Sequence, residues 1–299
     1  MGTLVRDRVV LCWAVNCSSH FCGLKSQAVG LYLPFSPSLC AVQGDKVLYF
    51  DVTCKKWGRL YRLSTDLSQY SEGHALTYTQ GLSLFICGGR KNPNRHTFRV
   101  SGLSKAHYIE AGVVYPLPDM LNTRYSHCVA FVPALNSALV FGGLNNGCPH
   151  PCAMRESEKF NLTTGEWEVL PEMNMRRKGI NAALLNRHVY LCAGESEGSV
   201  EKYDWQANVF VLLSFKLPVK GSCVAILRQN SCLCVSEKAT CAWKLEGEGV
   251  SAAFPGKACV TMVSAPVVYG KEIYLMDWSE CRTFNIATGQ PVHSHPYPH

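Results

Sequence analysis

Short apolar runs separated by polar turns fill residues 126–173. Four runs have strand character: SHCVAFV (126–132), SALVFGG (137–143), SEKFNL (157–162) and GEWEVL (165–170). Pro133 and Asn136 break the first from the second. Gly142, Gly143, Asn145, Asn146 and Gly147 break the second from the third, and Thr164 with Gly165 the third from the fourth. β-Branched and aromatic residues dominate the runs, which predicts a four-stranded antiparallel meander. One meander cannot bury both its faces, so it requires copies of itself on either side. No stretch carries the apolar period of a long helix.

The copies are legible. Leu117-Pro118-Asp119-Met120 returns as Leu170-Pro171-Glu172-Met173, 53 residues on. Gly88-Gly89 returns 54 residues later as Gly142-Gly143, and Gly143 is matched 51 residues later by Gly194. An aromatic residue is followed seven places later by a second apolar residue: Phe50 and Trp57, Tyr108 and Tyr115, Phe160 and Trp167, Tyr203 and Phe210. Trp243 with Val250 and Phe284 with Pro291 are weaker versions. Five steps from Phe50 to Phe284 give a mean period of about 47 residues.

A strand ending in Gly-Gly, a variable loop, an aromatic before a polar turn and a Trp opening the outermost strand resemble the kelch repeat. Phe141-Gly142-Gly143, Phe160-Asn161 and Gly165-Glu166-Trp167 carry the likeness best. Cys87-Gly88-Gly89, Tyr203-Asp204 and Phe210 carry it in the flanking units. The last two units lack the double glycine. The resemblance implies an all-β propeller of about six four-stranded blades over residues 31–299, with 1–30 an unassigned segment. It gives Gly88, Gly89, Gly142, Gly143, Gly194, Trp57 and Trp167 structural roles. From strand content alone, a β-sandwich is the alternative. The first unit, 46–52 and 57–63, looks partial, and the expectation is that strands from the other end of the chain complete its sheet. The sixth unit is expected to begin at 259–264.

Charge and cysteine content change the picture little. Lys and Arg exceed Asp and Glu by 7, without a block of five like charges, so no nucleic-acid arm is indicated. No apolar run reaches about 18 residues, the length of a membrane-spanning helix. The run 9–15 is at the short limit for a signal-peptide core and lacks a small-residue cleavage site. Sixteen cysteines are many, but Cys87, Cys128, Cys192, Cys232 and Cys234 fall inside strands, where Cys behaves as a small hydrophobe. Reduced thiols and a cytoplasmic location are the expectation.

Candidate chemistry is sparse. Cys148, His150 and Cys152 share one loop, as do Cys17, His20 and Cys22, but a structural zinc needs four ligands. No G-x-S-x-G, P-loop or H-E-x-x-H motif occurs, so no catalytic residue, metal or cofactor is assigned. His74 and His127 precede their double glycines by 14 and 15 residues, similar places in successive units, which reads as a structural hydrogen bond within each blade. Arg124 and Arg177, 53 residues apart, lead into the first strands of successive units, and Tyr70 or Gln69 is the matching place one unit earlier. In the kelch family such residues often reach the mouth of the central channel. The resemblance therefore makes Arg124, Tyr125, Arg177, Lys178 and Tyr70 the candidate partner-binding set, with an acidic peptide segment as partner. It implies a protein-interaction module, most like the substrate-recognition domain of BTB-kelch adaptors of cullin ubiquitin ligases, without their BTB region. Actin binding is the alternative, and a kelch-fold enzyme a remoter one.

Overall fold

In the computed structural model the described residues are 10–12, 38–43, 45–51, 54–65, 67, 72–79, 83–91, 101–146, 151–185, 187–193, 198–216, 223–228, 231–235, 240–244, 249–254, 267–269, 271–276, 280–285 and 291–296. They form six antiparallel sheets, each a meander in chain order. The first holds β1 (Val10–Cys12), β2 (Ser38–Gln43), β3 (Lys46–Asp51) and β4 (Lys56–Arg62). The second holds β5 (Glu72–Tyr78), β6 (Leu84–Lys91), a two-residue β7 (Ser101–Gly102) beside β6, β8 (Ala106–Glu110) and β9 (Val113–Leu117). The third runs β10 (Cys128–Val132), β11 (Ser137–Phe141), β12 (Ser157–Asn161), β13 (Glu166–Leu170). The fourth is β14 (Ile180–Leu185), β15 (His188–Ala193), β16 (Ser199–Asp204), β17 (Val209–Lys216). The fifth is β18 (Cys223–Arg228), β19 (Ser231–Val235), β20 (Thr240–Lys244), β21 (Gly249–Phe254). The sixth is β22 (Val267–Tyr269), β23 (Glu272–Met276), β24 (Glu280–Asn285), β25 (Pro291–Pro296).

The first strands touch one another in sequence: β1 with β5, β5 with β10, β10 with β14, β14 with β18 and β18 with β22. The sixth sheet meets the first through side chains of β3, β4, β23 and β25. The result is a six-bladed propeller, with the first strands innermost. Prolines fall on the outermost strands, at Pro116, Pro291 and Pro296, where a missing N–H breaks no ladder.

Why the blades stack is visible in β10. Every one of its residues is buried, because it is covered on both sides. Cys128, Ala130 and Val132 face the fourth blade, joining Phe141, Ile180, Leu191 and Phe210. Val129 faces the second, joining Phe85, Met120 and Phe160. A third cluster, with Val47, Leu63, Leu84 and Ile109, fills the seam between the first and second blades. The core is therefore a set of wedges between blades, and each wedge needs both neighbours.

All six aromatic pairs seen at seven-residue spacing are directly opposed on the third and fourth strands of their blades: Phe50–Trp57, Tyr108–Tyr115, Phe160–Trp167, Tyr203–Phe210, Trp243–Val250 and Phe284–Pro291. The third-strand aromatic also meets an aromatic on the second strand of the preceding blade. Phe160 lies 5.7 Å from Phe85, Tyr203 6.0 Å from Phe141, and Phe50 6.0 Å from Tyr274 of the sixth blade. Trp167 donates its indole N–H to Pro118 O (2.8 Å) just past β9, and Trp57 donates to His295 O (3.3 Å) on β25. The ring thus closes with the side-chain device it uses between neighbouring blades.

One expectation is corrected. Among the described residues, no strand from the C-terminal end enters the first blade. Its innermost strand is Val10–Cys12, paired with Val42, Ala41 and Cys40. That strand belongs to the segment left unassigned in the sequence, and with residues 13–37 between the partners no turn signal links them. The sixth blade opens with Val267–Tyr269, whereas the expected run 259–264 lies outside the described residues. Replacing Trp167 by Phe keeps the ring stack but removes the indole donor. The expected cost is about 1 kcal/mol of folding stability, read by chemical denaturation.

Candidate binding face

The double glycines lie at the seams. Gly88 and Gly89 at the end of β6, and Gly142 and Gly143 after β11, all have positive φ. A Cβ on Gly88 would stand 2.6 Å from Arg124 O, and one on Gly142 would stand 2.7 Å from Arg177 O. No L side chain fits so near a neighbouring backbone. The close approach yields hydrogen bonds: Gly89 N–H donates to Arg124 O (2.9 Å) and Gly143 N–H to Arg177 O (2.8 Å). Leu103 N–H donates to Gly89 O and Arg124 N–H to Leu103 O; Met154 and Arg177 repeat both bonds one blade on. Further in, Ser126 N–H donates to Gly73 O (2.7 Å) and Gly179 N–H to Ser126 O (2.8 Å). Gly73, Ser126 and Gly179 are 53 residues apart and all have positive φ, so one bent step recurs in three blades.

The candidate arginines prove to be internal. Arg124 and Arg177 are both 0% exposed, which corrects their assignment to a partner. Arg124 Nη2 pairs with Glu158 Oε1, and its Nη1 donates to Gly142 O (2.8 Å) and Glu156 O (3.0 Å). Arg177 Nε pairs with Glu201 Oε1 at 2.6 Å, while its Nη atoms reach Ser199 O and Oγ at 2.9 Å. Each glutamate's second oxygen accepts the backbone N–H three residues before its arginine: Leu121 for Glu158 (2.7 Å) and Asn174 for Glu201 (2.8 Å). The pair therefore fixes the lead-in loop to the third strand of its own blade. Glu158 and Glu201 sit two residues before Phe160 and Tyr203, and the second blade has Ala106 in that place. There the arginine position is also not an arginine. The sequence signal for this coupled pair is a carboxylate inside an apolar strand, two residues before the seam aromatic.

Tyr125 is 5% exposed. Its Cβ and ring edge lie against Gly73 and Gly102 of the second blade, and Arg90 Cζ sits 5.9 Å from its ring centroid. Burial raises its hydroxyl pKa, and the nearby Lys178 charge pulls the other way. Lys178 is half-buried and Arg176 exposed. Asn146 braces the loop, accepting from Gly102 N–H and donating to Gly102 O (3.3 Å) and Thr123 Oγ1 (3.2 Å). Arg90, Tyr125 and Lys178, from three successive blades, therefore lie together, with the tyrosine ring largely covered. Tyr70 and Gly194 lie outside the described residues.

Behind this face is a covered layer of thiols and imidazoles. His127 Nε2 is 3.4 Å from Cys87 Sγ, a contact across the second seam rather than within one blade as the sequence suggested. His74 keeps some exposed surface, yet both ring nitrogens are covered and unpartnered, as is His127 Nδ1. Burial draws the His74 pKa down to about 4 and that of His127 well below its ordinary value. Burial likewise pushes up the Cys87 and Cys128 thiols. Among the described residues, Cys54, Cys87, Cys128, Cys152, Cys192 and Cys281 are free thiols, and no three His, Cys, Asp or Glu side chains converge as a metal site. Gly147 to His150 and the side chains of Cys232 and Cys234 lie outside what is described.

No protein-family model matches the chain. It is similar to Kelch domain-containing protein 8B of Mus musculus, at 29% identity over 125 residues, 39% of this chain and 33% of the relative. The Homo sapiens protein of that name matches at 28% over the same shares. The match thus spans about a third of these relatives' length. Among solved structures, the one described as the structure of YjhT superimposes with a TM-score of 0.60, covering 86% of this chain and 90% of that one at 12% identity. These likenesses support a kelch-repeat domain on a propeller fold.

Removing the Arg124 side chain strands a buried carboxylate. Arg124→Ala is expected to cost about 3–5 kcal/mol in urea denaturation. Adding Glu158→Ala should recover part of that loss, because the stranded charge goes with it.

Proposed function

We propose that this propeller holds a protein partner at the end of the ring bearing Arg90, Tyr125 and Lys178, and that the partner docks through an acidic segment. The observation that supports this is the convergence of side chains from three blades on one aromatic ring, with Arg90 over its face and Lys178 beside its hydroxyl. Arginine stacked on an aromatic stays pre-organised for a carboxylate, because its planar fork is held rather than free. The chain's excess of 7 positive charges favours encounter with an acidic surface. Arg124 and Arg177 serve this face indirectly, by fixing the loops that carry Tyr125 and Lys178.

Interaction with proteins is the general reading that the kelch likeness supports. Within it we favour substrate recognition of the kind seen in cullin-ligase adaptors, in the cytoplasm. No helix among the described residues is long and apolar enough to cross a membrane. Filament binding is the competing reading, and pelleting with actin separates the two.

The test is charge reversal at the face. Arg90→Glu combined with Lys178→Glu should weaken binding of a fluorescent aspartate- and glutamate-rich peptide at least tenfold, with the denaturation midpoint kept within experimental error. Affinity purification with the intact chain should recover cullin, and the double variant should lose the bound substrate. Undiminished peptide binding would reject the face.

A further inference from the structure

Among the described residues, the seam between the first and sixth blades repeats the aromatic stack and indole donor of the second–third seam, but no backbone hydrogen bond joins its blades as at the second–third and third–fourth junctions. There, successive blades share backbone hydrogen bonds through Gly89 with Arg124 and Gly143 with Arg177. At the closing seam the blades meet through a ring stack, an indole donor and an ion pair. The His295 ring lies 4.9 Å from Phe50, and Phe50 in turn 5.1 Å from Trp57. Trp57 Nε1 donates to His295 O, and Lys55 Nζ pairs with Glu272 Oε1 at 2.9 Å. Where the second–third seam has Phe85, Phe160, Trp167 and Pro118, none of which titrates, the closing seam has an imidazole.

The groups around that imidazole decide how it responds to a proton. His293 on its own strand is 5.9 Å away, ring to ring. Lys55 comes from the β3–β4 turn, Glu272 and Tyr274 from β23, and Cys281 stands opposite on β24. Glu272 is the one anion among them, and both its oxygens are engaged, Oε1 by Lys55 and Oε2 by the Tyr274 hydroxyl (2.6 Å). His295 Nε2 is covered and has no partner. A proton there would place a cation beside Lys55 and His293, with Glu272, already paired with Lys55, the opposing charge.

We propose that the closing seam is an acid-sensitive clasp, shut while His295 is neutral and released when it is protonated. The sign follows from the surroundings. Burial, then His293 and Lys55, lower the His295 pKa from its ordinary 6.5 in the closed ring. The open seam therefore binds the proton more tightly, and acidification below about pH 6.5 favours opening until the closed-state pKa is passed. His74 and His127 at the second seam also lose by protonation, but separating those blades must break the glycine–arginine hydrogen bonds as well. The closing seam should yield first.

Hydrogen exchange of the intact chain at pH 7.5 and 5.5, corrected for the intrinsic pH dependence of exchange, reads this directly. Protection in peptides covering 46–62 and 280–296 should fall by up to about tenfold at the lower pH, the factor set by one pH unit below an open-state pKa of 6.5. Peptides covering 128–170 should change little. His295→Phe keeps an aromatic ring on Phe50 and removes the titration, so it should abolish the acid response. His295→Gln gives the same reading where the larger ring is not accommodated. A parallel loss at both sets of peptides, or an acid response that survives in the folded variant, overturns the proposal.

Discussion

Everything in the ring's middle depends on how closely one backbone can approach the next blade. The arginine carbonyl of one blade must sit against the paired glycines of the blade before it, at a separation no side chain permits. That approach brings the Gly89 and Gly143 N–H groups into bonding range of the carbonyl. It also forces the lead-in loop to a fixed height, and the buried Arg–Glu pair locks it there from below. The ion pair is weak grounds for stability by itself, since burying two charges costs much of what their attraction returns. Its worth lies in position. Each glutamate binds both the guanidinium and the backbone N–H at the start of the same loop, so the loop has one place to be.

That constraint explains the division between wall and face. A fully buried guanidinium with its charge matched internally offers nothing to a ligand. The next residue in the chain, buried Tyr125 in one blade and half-buried Lys178 in the other, consequently has a fixed place. A partner would meet these side chains as parts of a stiff rim. Rigidity of this kind lowers the ordering cost of association, which area alone does not reveal.

Much of the fold was legible beforehand because the repeat writes the same physical requirement several times. The seven-residue aromatic spacing is the arithmetic of a hairpin whose opposed positions face one seam, and all six pairs obey it, even Phe284–Pro291. The double glycines marked the seams for the same reason. What escaped was whatever occurs once or spans a long gap. Val10–Cys12 pairs across residues 13–37, and three residues are too few to show alternation. The arginines misled in an instructive way. Repetition at equivalent places argues for a structural histidine, and by the same argument Arg124 and Arg177 are structural too. The missing clue was Glu158 and Glu201, two residues before the seam aromatics, where a lone carboxylate inside an apolar strand demands a cation.

The asymmetry of the ring follows from the same logic. Blades that share backbone hydrogen bonds are joined by groups that do not titrate as well as by side chains such as His127, so separating them costs more than a protonation. At the first–sixth seam the outer contacts are made by Phe50, Trp57, Lys55, Glu272 and His295, and three of those five carry or can acquire charge. A propeller must close somewhere between chain ends that need not be contiguous with anything. Among the described residues, that place is held by side chains whose interactions depend on solvent conditions, while the face built on the second, third and fourth blades is also held by backbone hydrogen bonds. Separating the two lets the closure respond to its surroundings without moving the residues that a partner would recognise.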